Sequence, residues 1–211
     1  MTTGAKDGYY IAIAGPIGVG KTSLAKKLVE RWEGTLVAER VDDNPLLAPF
    51  YADPGQNAFH LQLYFLIQRA EQQRQILSLR PTTVVVSDYV FAKDELFAHL
   101  TLNARQYKLY AAVMRELSPP NVRPDAVIYL RAGLKTLAER IAKRGREFEK
   151  GLDTDYMARV IAAYEDFFSS YDRTPLVTVN TEKTDILNDK EALVSLSNQV
   201  GELSWEARPE E

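Results

Sequence analysis

The chain has no cysteine among its 211 residues, which excludes disulfides and thiolate metal sites. Its two histidines, His60 and His99, stand far apart in the sequence, and neither is assigned a metal. No apolar run approaches the ~20 residues of a membrane span, and Met1-Thr-Thr-Gly-Ala-Lys-Asp-Gly8 lacks the apolar core of a secretory signal. The protein is therefore expected in the cytoplasm with no membrane partner. A basic excess is missing as well. The formal net charge of -3 argues against nucleic acid as a partner, because neutralising several phosphates needs clustered positive charge. There are no repeats or low-complexity tracts. A hydrophobic content of 45% is enough to bury a full core, and the length suits one domain spanning 1–211.

The stretch that organises the chain is Gly15-Pro16-Ile17-Gly18-Val19-Gly20-Lys21-Thr22. It fits G-x-x-x-x-G-K-[ST] in the context that motif requires. The apolar run Tyr10–Ala14 before it reads as a buried strand. An amphipathic helix follows, with Leu24, Ala25, Leu28, Val29 and Trp32 on one side. Glycines allow left-handed backbone, so successive N–H groups and the helix N-terminus can point at a polyphosphate. Lys21 is then expected against the transferable phosphates, with the Thr22 hydroxyl on Mg2+. A chance glycine-rich turn is the bland alternative, and the flanking strand and helix argue against it.

Strand patterns recur at Thr35–Ala38, at Pro81–Ser87, at Asp125–Leu130 and at Leu176–Asn180, separated by helical patterns. A long helix is expected over Gly55–Leu79, then shorter ones over Ala92–Leu100, Ala104–Leu117, Leu134–Arg144, Asp153–Tyr171 and Asp189–Leu203. The prolines around Leu46–Tyr51 mark short irregular segments. The segment 143–152 is basic and interrupted by glycine, as a short lid would be, and 204–211 is expected to be a disordered tail. Strands alternating with helices behind a phosphate loop predict an α/β fold of the P-loop kinase kind, a five-stranded parallel sheet flanked by helices with an arginine-rich lid. The long helix is apolar over more than one stripe, so a second face should meet another helix or a second subunit.

Two carboxylates, Glu39 and Asp88, fall at C-terminal strand ends, the edge where open parallel sheets bind ligands. Phosphoryl transfer needs positioning, charge neutralisation and a group that receives or orients the acceptor hydroxyl, and either carboxylate suits the last task. The bland alternatives are a loop carboxylate paired with Arg40 and a helix N-cap, respectively. Arg140 and Arg144 share a helix face, and Arg146 lies beyond Gly145; guanidinium groups there suit a spreading phosphoryl charge, or else simply a solvated helix end. Gln62 and Arg69, two turns apart among Phe59, Phe65 and Leu66, need partners if buried, and a planar heterocycle would supply them.

Together these residues resemble the deoxynucleoside kinase family, in particular its bacterial deoxyadenosine and deoxyguanosine kinases, from about Tyr10 to Leu187. The resemblance implies Mg2+ and ATP, a catalytic base at Glu39 for the 5′-hydroxyl, and a sugar site in which Tyr51 and Glu149 hold the 3′-hydroxyl. It implies base reading by Gln62 with Arg69 and Asp94, a lid carrying Arg144 and Arg146, and an adenine loop at Thr184-Asp185-Ile186. It also suggests a homodimer through the long helices. One position departs from the family pattern: Tyr89 stands where many members carry arginine, so that residue's role is left to Lys93 or a lid arginine. The neutral amide of Gln62 favours deoxyadenosine, with deoxyguanosine or deoxycytidine next. A nucleoside monophosphate kinase shares the fold but would need further cations for its acceptor, and a GTPase-type switch would carry an Asn-Lys-x-Asp element that this sequence lacks.

Overall fold

The computed structural model describes residues 8–117 and 120–206. Five parallel strands form one sheet in the order β2-β3-β1-β4-β5, with β1 at Tyr10–Ala14, β2 at Thr35–Val37, β3 at Val85–Ser87, β4 at Ala126–Arg131 and β5 at Leu176–Asn180. Every residue of β1 is buried, as expected for a central strand covered on both faces. Its alternation divides the core. Tyr10, Ala12 and Ala14 join one cluster, while Ile11 and Ile13 join the other.

The Ile11 face packs chiefly on α1, Lys21–Trp32, through Leu24 and Leu28; on α6, Leu134–Arg144, through Leu137 and Ile141; and on α8, Lys190–Glu206, through Leu196 and Val200. The opposite face packs on α2, Leu47–Ala52, through Phe50; on α3, Pro54–Leu79, through Leu61, Phe65 and Ile76; and on α7, Thr154–Ser169, through Val160, Tyr164 and Phe168. The remaining helices, α4 at Lys93–Thr101 and α5 at Ala104–Leu117, bury Ala98 and Tyr110 against Leu66 of α3. This is the second face that the breadth of apolar positions on the long helix called for.

Three differences from the expectation go beyond one or two residues. The strand predicted from Pro81 begins only at Val85, because the Leu79 carbonyl accepts hydrogen bonds from the Thr82 and Thr83 amides and closes a turn first. The segment read as irregular contains helix α2, with Pro49 in its first turn, where a missing N–H leaves no intrahelical bond unmade. Helix α8 continues to Glu206, past Leu203, since no glycine or proline follows until Pro209. Residues 207–211, part of the expected tail, lie outside the described residues. Asp153 begins α7 as anticipated, its carboxylate accepting from the Asp155 and Tyr156 amides.

Strand order does the positioning. With β3 between β1 and β2, the phosphate loop after β1, Asp88 after β3 and Glu39 after β2 all emerge along one sheet edge.

Candidate active site

The loop between β1 and α1 turns through left-handed backbone at Gly18 (φ 83) and Gly20 (φ 104), conformations that a side chain would strain. Lys21 folds back over it, donating from Nζ to the Gly15 and Pro16 carbonyls at 2.9 Å each. Burial pulls the Lys21 ammonium below the ordinary lysine range, against Glu39 and Asp88, which raise it. Asp88 is no helix cap. Its Oδ2 accepts from Thr22 Oγ1 at 2.5 Å and its Oδ1 from the Glu39 amide at 2.7 Å, so one buried carboxylate ties all three strand ends together. The Thr22 hydroxyl and the Asp88 carboxylate form a pair of hard oxygens beside the phosphate loop, and this donor set fits Mg2+.

Glu39 is paired, but not with Arg40. Its Oε1 accepts from Arg69 Nε at 3.0 Å and from Arg69 Nη2, and its Oε2 accepts from Lys93 Nζ at 2.7 Å. Burial alone would raise this carboxyl, yet the Lys93 ammonium and the Arg69 guanidinium hold it well below the usual carboxylate range. Burial pulls Lys93 down to about 7 although Glu39 raises it, with Arg69 and Lys21 adding to the lowering. The other side of Arg69 bonds Asp94 Oδ1, and its guanidinium lies 4.6 Å from the Phe65 ring centre. Arg69 is therefore a buried bridge between two carboxylates and not a surface residue. Tyr89 is fully buried beneath this network, with Lys93 Nζ 5.8 Å from its ring centre. Lys93 thus reaches Glu39 from α4.

Glu39, Tyr51, Gln62 and Arg69 line one cavity together with Lys21 and Thr22. Phe50, Phe65, Phe97, Tyr156 and Tyr164 supply its aromatic walls. Tyr51 stacks on Phe148, with ring centres 6.5 Å apart and planes 11° apart, and burial raises its phenol, so it remains a neutral donor. Gln62 is buried on α3, donating from Nε2 to Thr101 Oγ1.

The arginines of the expected lid diverge. Helix α6 stops at Gly145, whose φ of 70 ends it in left-handed backbone, and a 3-10 turn at Glu147–Glu149 follows. Arg144 pairs with the buried Glu149, and Arg146 reaches across to Asp42 in the segment after β2 at 2.8 Å; both arginines line the cavity. Arg140, expected beside them, points elsewhere: it donates to the Thr181 hydroxyl and carbonyl at 2.7 and 2.8 Å and so fixes the loop after β5. In that loop Asp185 accepts from Asn188, and Leu187 packs 3.6 Å from where a side chain on Gly20 would begin. The loop therefore abuts the phosphate site.

Sequence reading assigned no role to Thr101 or to the cavity aromatics Phe50, Phe97, Tyr156 and Tyr164, and held Lys93 only as a substitute for the missing arginine. The one available signal was the spacing of Phe97 and Thr101, a turn apart on α4.

A parallel sheet with this loop, two strand-end carboxylates and arginines over a shared cavity defines a P-loop phosphotransferase. The deoxynucleoside kinase family model matches residues 11–204, and the chain belongs to that family. It is 34% identical to a deoxyguanosine kinase of Bacillus subtilis over 92% of this chain and 97% of the relative. It is 32% identical to the same organism's deoxyadenosine/deoxycytidine kinase, covering 90% of each. A solved structure of M. mycoides deoxyadenosine kinase with bound dATP superposes with a TM-score of 0.78 at 26% identity, covering 92% of this chain and 99% of that one. The protein is thus an enzyme, a deoxynucleoside kinase. No helix among the described residues is long and apolar enough to cross a membrane.

Proposed function

We propose that the enzyme transfers the γ-phosphoryl group of ATP to the 5′-hydroxyl of a purine deoxynucleoside, deoxyadenosine foremost, as a cytoplasmic salvage kinase. The observation that carries this reading is the single cavity that Lys21, Thr22, Glu39, Tyr51, Gln62 and Glu149 share. Loop N–H groups between Gly15 and Thr22, all but that of Pro16, which has none, would cradle the phosphates, with Lys21 leaving the Gly15 and Pro16 carbonyls to meet them. Thr22 and Asp88 would hold Mg2+, which neutralises phosphate charge when bound. Asp185 and its loop would face the adenine of ATP.

Glu39 accepts the 5′-hydroxyl proton in this scheme. Its low basicity is compatible with the task, because a loose phosphoryl-transfer transition state keeps the acceptor proton until late, so that orientation matters more than base strength. Lys93 and Arg69 hold the carboxylate in place, Lys93 filling the role of the arginine absent at Tyr89. Tyr51 and Glu149 would hold the 3′-hydroxyl, Gln62 with Arg69 and Asp94 the base, and Arg144 and Arg146 the migrating charge. Arg140 serves as an anchor of the adenine loop. The exposed Ile67 on α3 and Leu109 on α5 support a homodimer through these helices, which light scattering would test.

The deciding experiment is ADP release from Mg-ATP with each of the four natural deoxynucleosides and with dAMP and dTMP. Deoxyadenosine is expected to turn over fastest. Fastest turnover of deoxyguanosine would sink the choice of base, and turnover of monophosphates alone would sink the acceptor assignment.

A further inference from the structure

Gln62 is an amide that could in principle present either end to a base, since its oxygen accepts and its nitrogen donates in nearly the same shape. Thr101 removes that freedom. The Thr101 hydroxyl donates to the Phe97 carbonyl one turn back on α4, at 2.7 Å, so its single proton is committed. Only its lone pairs remain toward α3, and Gln62 meets them with Nε2 at 3.3 Å. Turning the amide over would aim Oε1 at the hydroxyl oxygen and force its proton off Phe97. In the arrangement present, Gln62 Oε1 is buried without a hydrogen-bond partner among the described residues, on a side chain that is 2% exposed and lines the cavity. An unpaired buried acceptor is unfavourable unless a ligand satisfies it.

We infer that Thr101 is a positioning residue that fixes the Gln62 amide with its oxygen free, and so makes the site select bases that carry an exocyclic amino group beside a ring-nitrogen acceptor. Gln62 Oε1 accepts from the amino group, and the second Nε2 hydrogen donates to the ring nitrogen. Adenine (N6 amino, N1) and cytosine (N4 amino, N3) present this pair. Guanine, hypoxanthine and thymine present a carbonyl beside a ring N–H at the corresponding edge, which opposes oxygen to oxygen and hydrogen to hydrogen. The inference rests on the deoxynucleoside reading above and adds the class of base and the residue that enforces it.

The test uses deoxyadenosine and deoxyinosine, which differ only in the 6-substituent and the N1 proton. Initial rates of ADP release under saturating Mg-ATP give kcat/KM for each with the full-length wild type and with Thr101→Val and Thr101→Ser. The wild type should favour deoxyadenosine by about tenfold or more, roughly the worth of one correctly paired hydrogen bond. In Thr101→Val, which keeps the shape but not the hydroxyl, that ratio should fall about tenfold, chiefly through a lower KM for deoxyinosine. Thr101→Ser should restore it, which a merely structural role for the threonine methyl would not do. Thr101→Ala also lacks the hydroxyl and substitutes for the valine variant should that fail to fold. A hydroxyl-free variant whose ratio stays within about twofold of wild type overturns the inference while leaving the kinase reading intact, as does a wild type that favours deoxyinosine. Absence of turnover with every deoxynucleoside sinks the reading itself, and the inference with it.

Discussion

The two ends of the cavity are built in different ways. The phosphate end is made of backbone and comes from one short stretch, Gly15 to Thr22, with Asp88 as a distant brace. The other end, proposed above for the nucleoside, is made of side chains from the segment after β2, from α2, α3, α4 and α7 and from residues 144–149, and many of its members lean on one another. A backbone cradle is fixed by local turns and a helix N-terminus, so surface changes elsewhere leave it intact. A buried network of charges holds only while every partner is present, because removing one strands the others in a low-dielectric site.

The largest expected effect sets chemistry against structure at the point where the two ends meet. Glu39→Gln should lower kcat by about 10^2- to 10^4-fold in a coupled ADP assay with KM for ATP little changed, and near wild-type turnover would remove Glu39 from the base role. Next is Arg69→Ala, which leaves Glu39 and Asp94 buried without their shared cation. Chemical denaturation should show a loss of about 3–5 kcal/mol, and a loss below about 1 kcal/mol would mean that the network is not coupled in the way its geometry implies.

Tyr51→Phe keeps the stacking on Phe148 but loses the phenol. For natural deoxynucleosides, which carry the 3′-hydroxyl, KM should rise about five- to tenfold, and for analogues lacking that hydroxyl much less. Equal losses would take Tyr51 out of the sugar site. The smallest effect sharpens the electrostatics of the nucleoside end. Lys93 has a folded value of about 7 against about 10.4 for an unfolded lysine, so the unfolded chain holds more protons between them and this group's contribution to stability rises with pH across that window. The ligand-free wild type should therefore gain up to about 1 kcal/mol per pH unit over Lys93→Met between about pH 7 and pH 9. Parallel stability profiles would show that Lys93 is not depressed.

How much could be read before folding follows the same division. The loop motif, the flanking strand and helix, the helix start at Asp153 and the alternation of strands and helices are local signals, and the structure contains each of them. Resemblance to the kinase family singled out, among others, Glu39, Tyr51, Gln62, Arg69, Asp94 and Glu149; the fold brings five of them to the lining of one cavity, while Asp94 is buried against Arg69. Arg140 and Arg144 looked equivalent because helix spacing reports a shared face without saying what lies opposite it; the loop after β5 takes Arg140, and Glu149 takes Arg144.

By itself, then, the sequence determined the phosphate loop, the parallel α/β class and the family, because each is carried by short local patterns, one after another along the chain, and by backbone chemistry that needs no distant partner. Only the tertiary structure decided that Arg69 would bridge Glu39 and Asp94, that Lys93 would pair with Glu39 and that Gln62 would donate to Thr101. Those partners lie 25 to 54 residues apart along the chain. Which cation or hydroxyl faces a given carboxylate or amide is set by strand order and helix docking, and no local spacing encodes that choice.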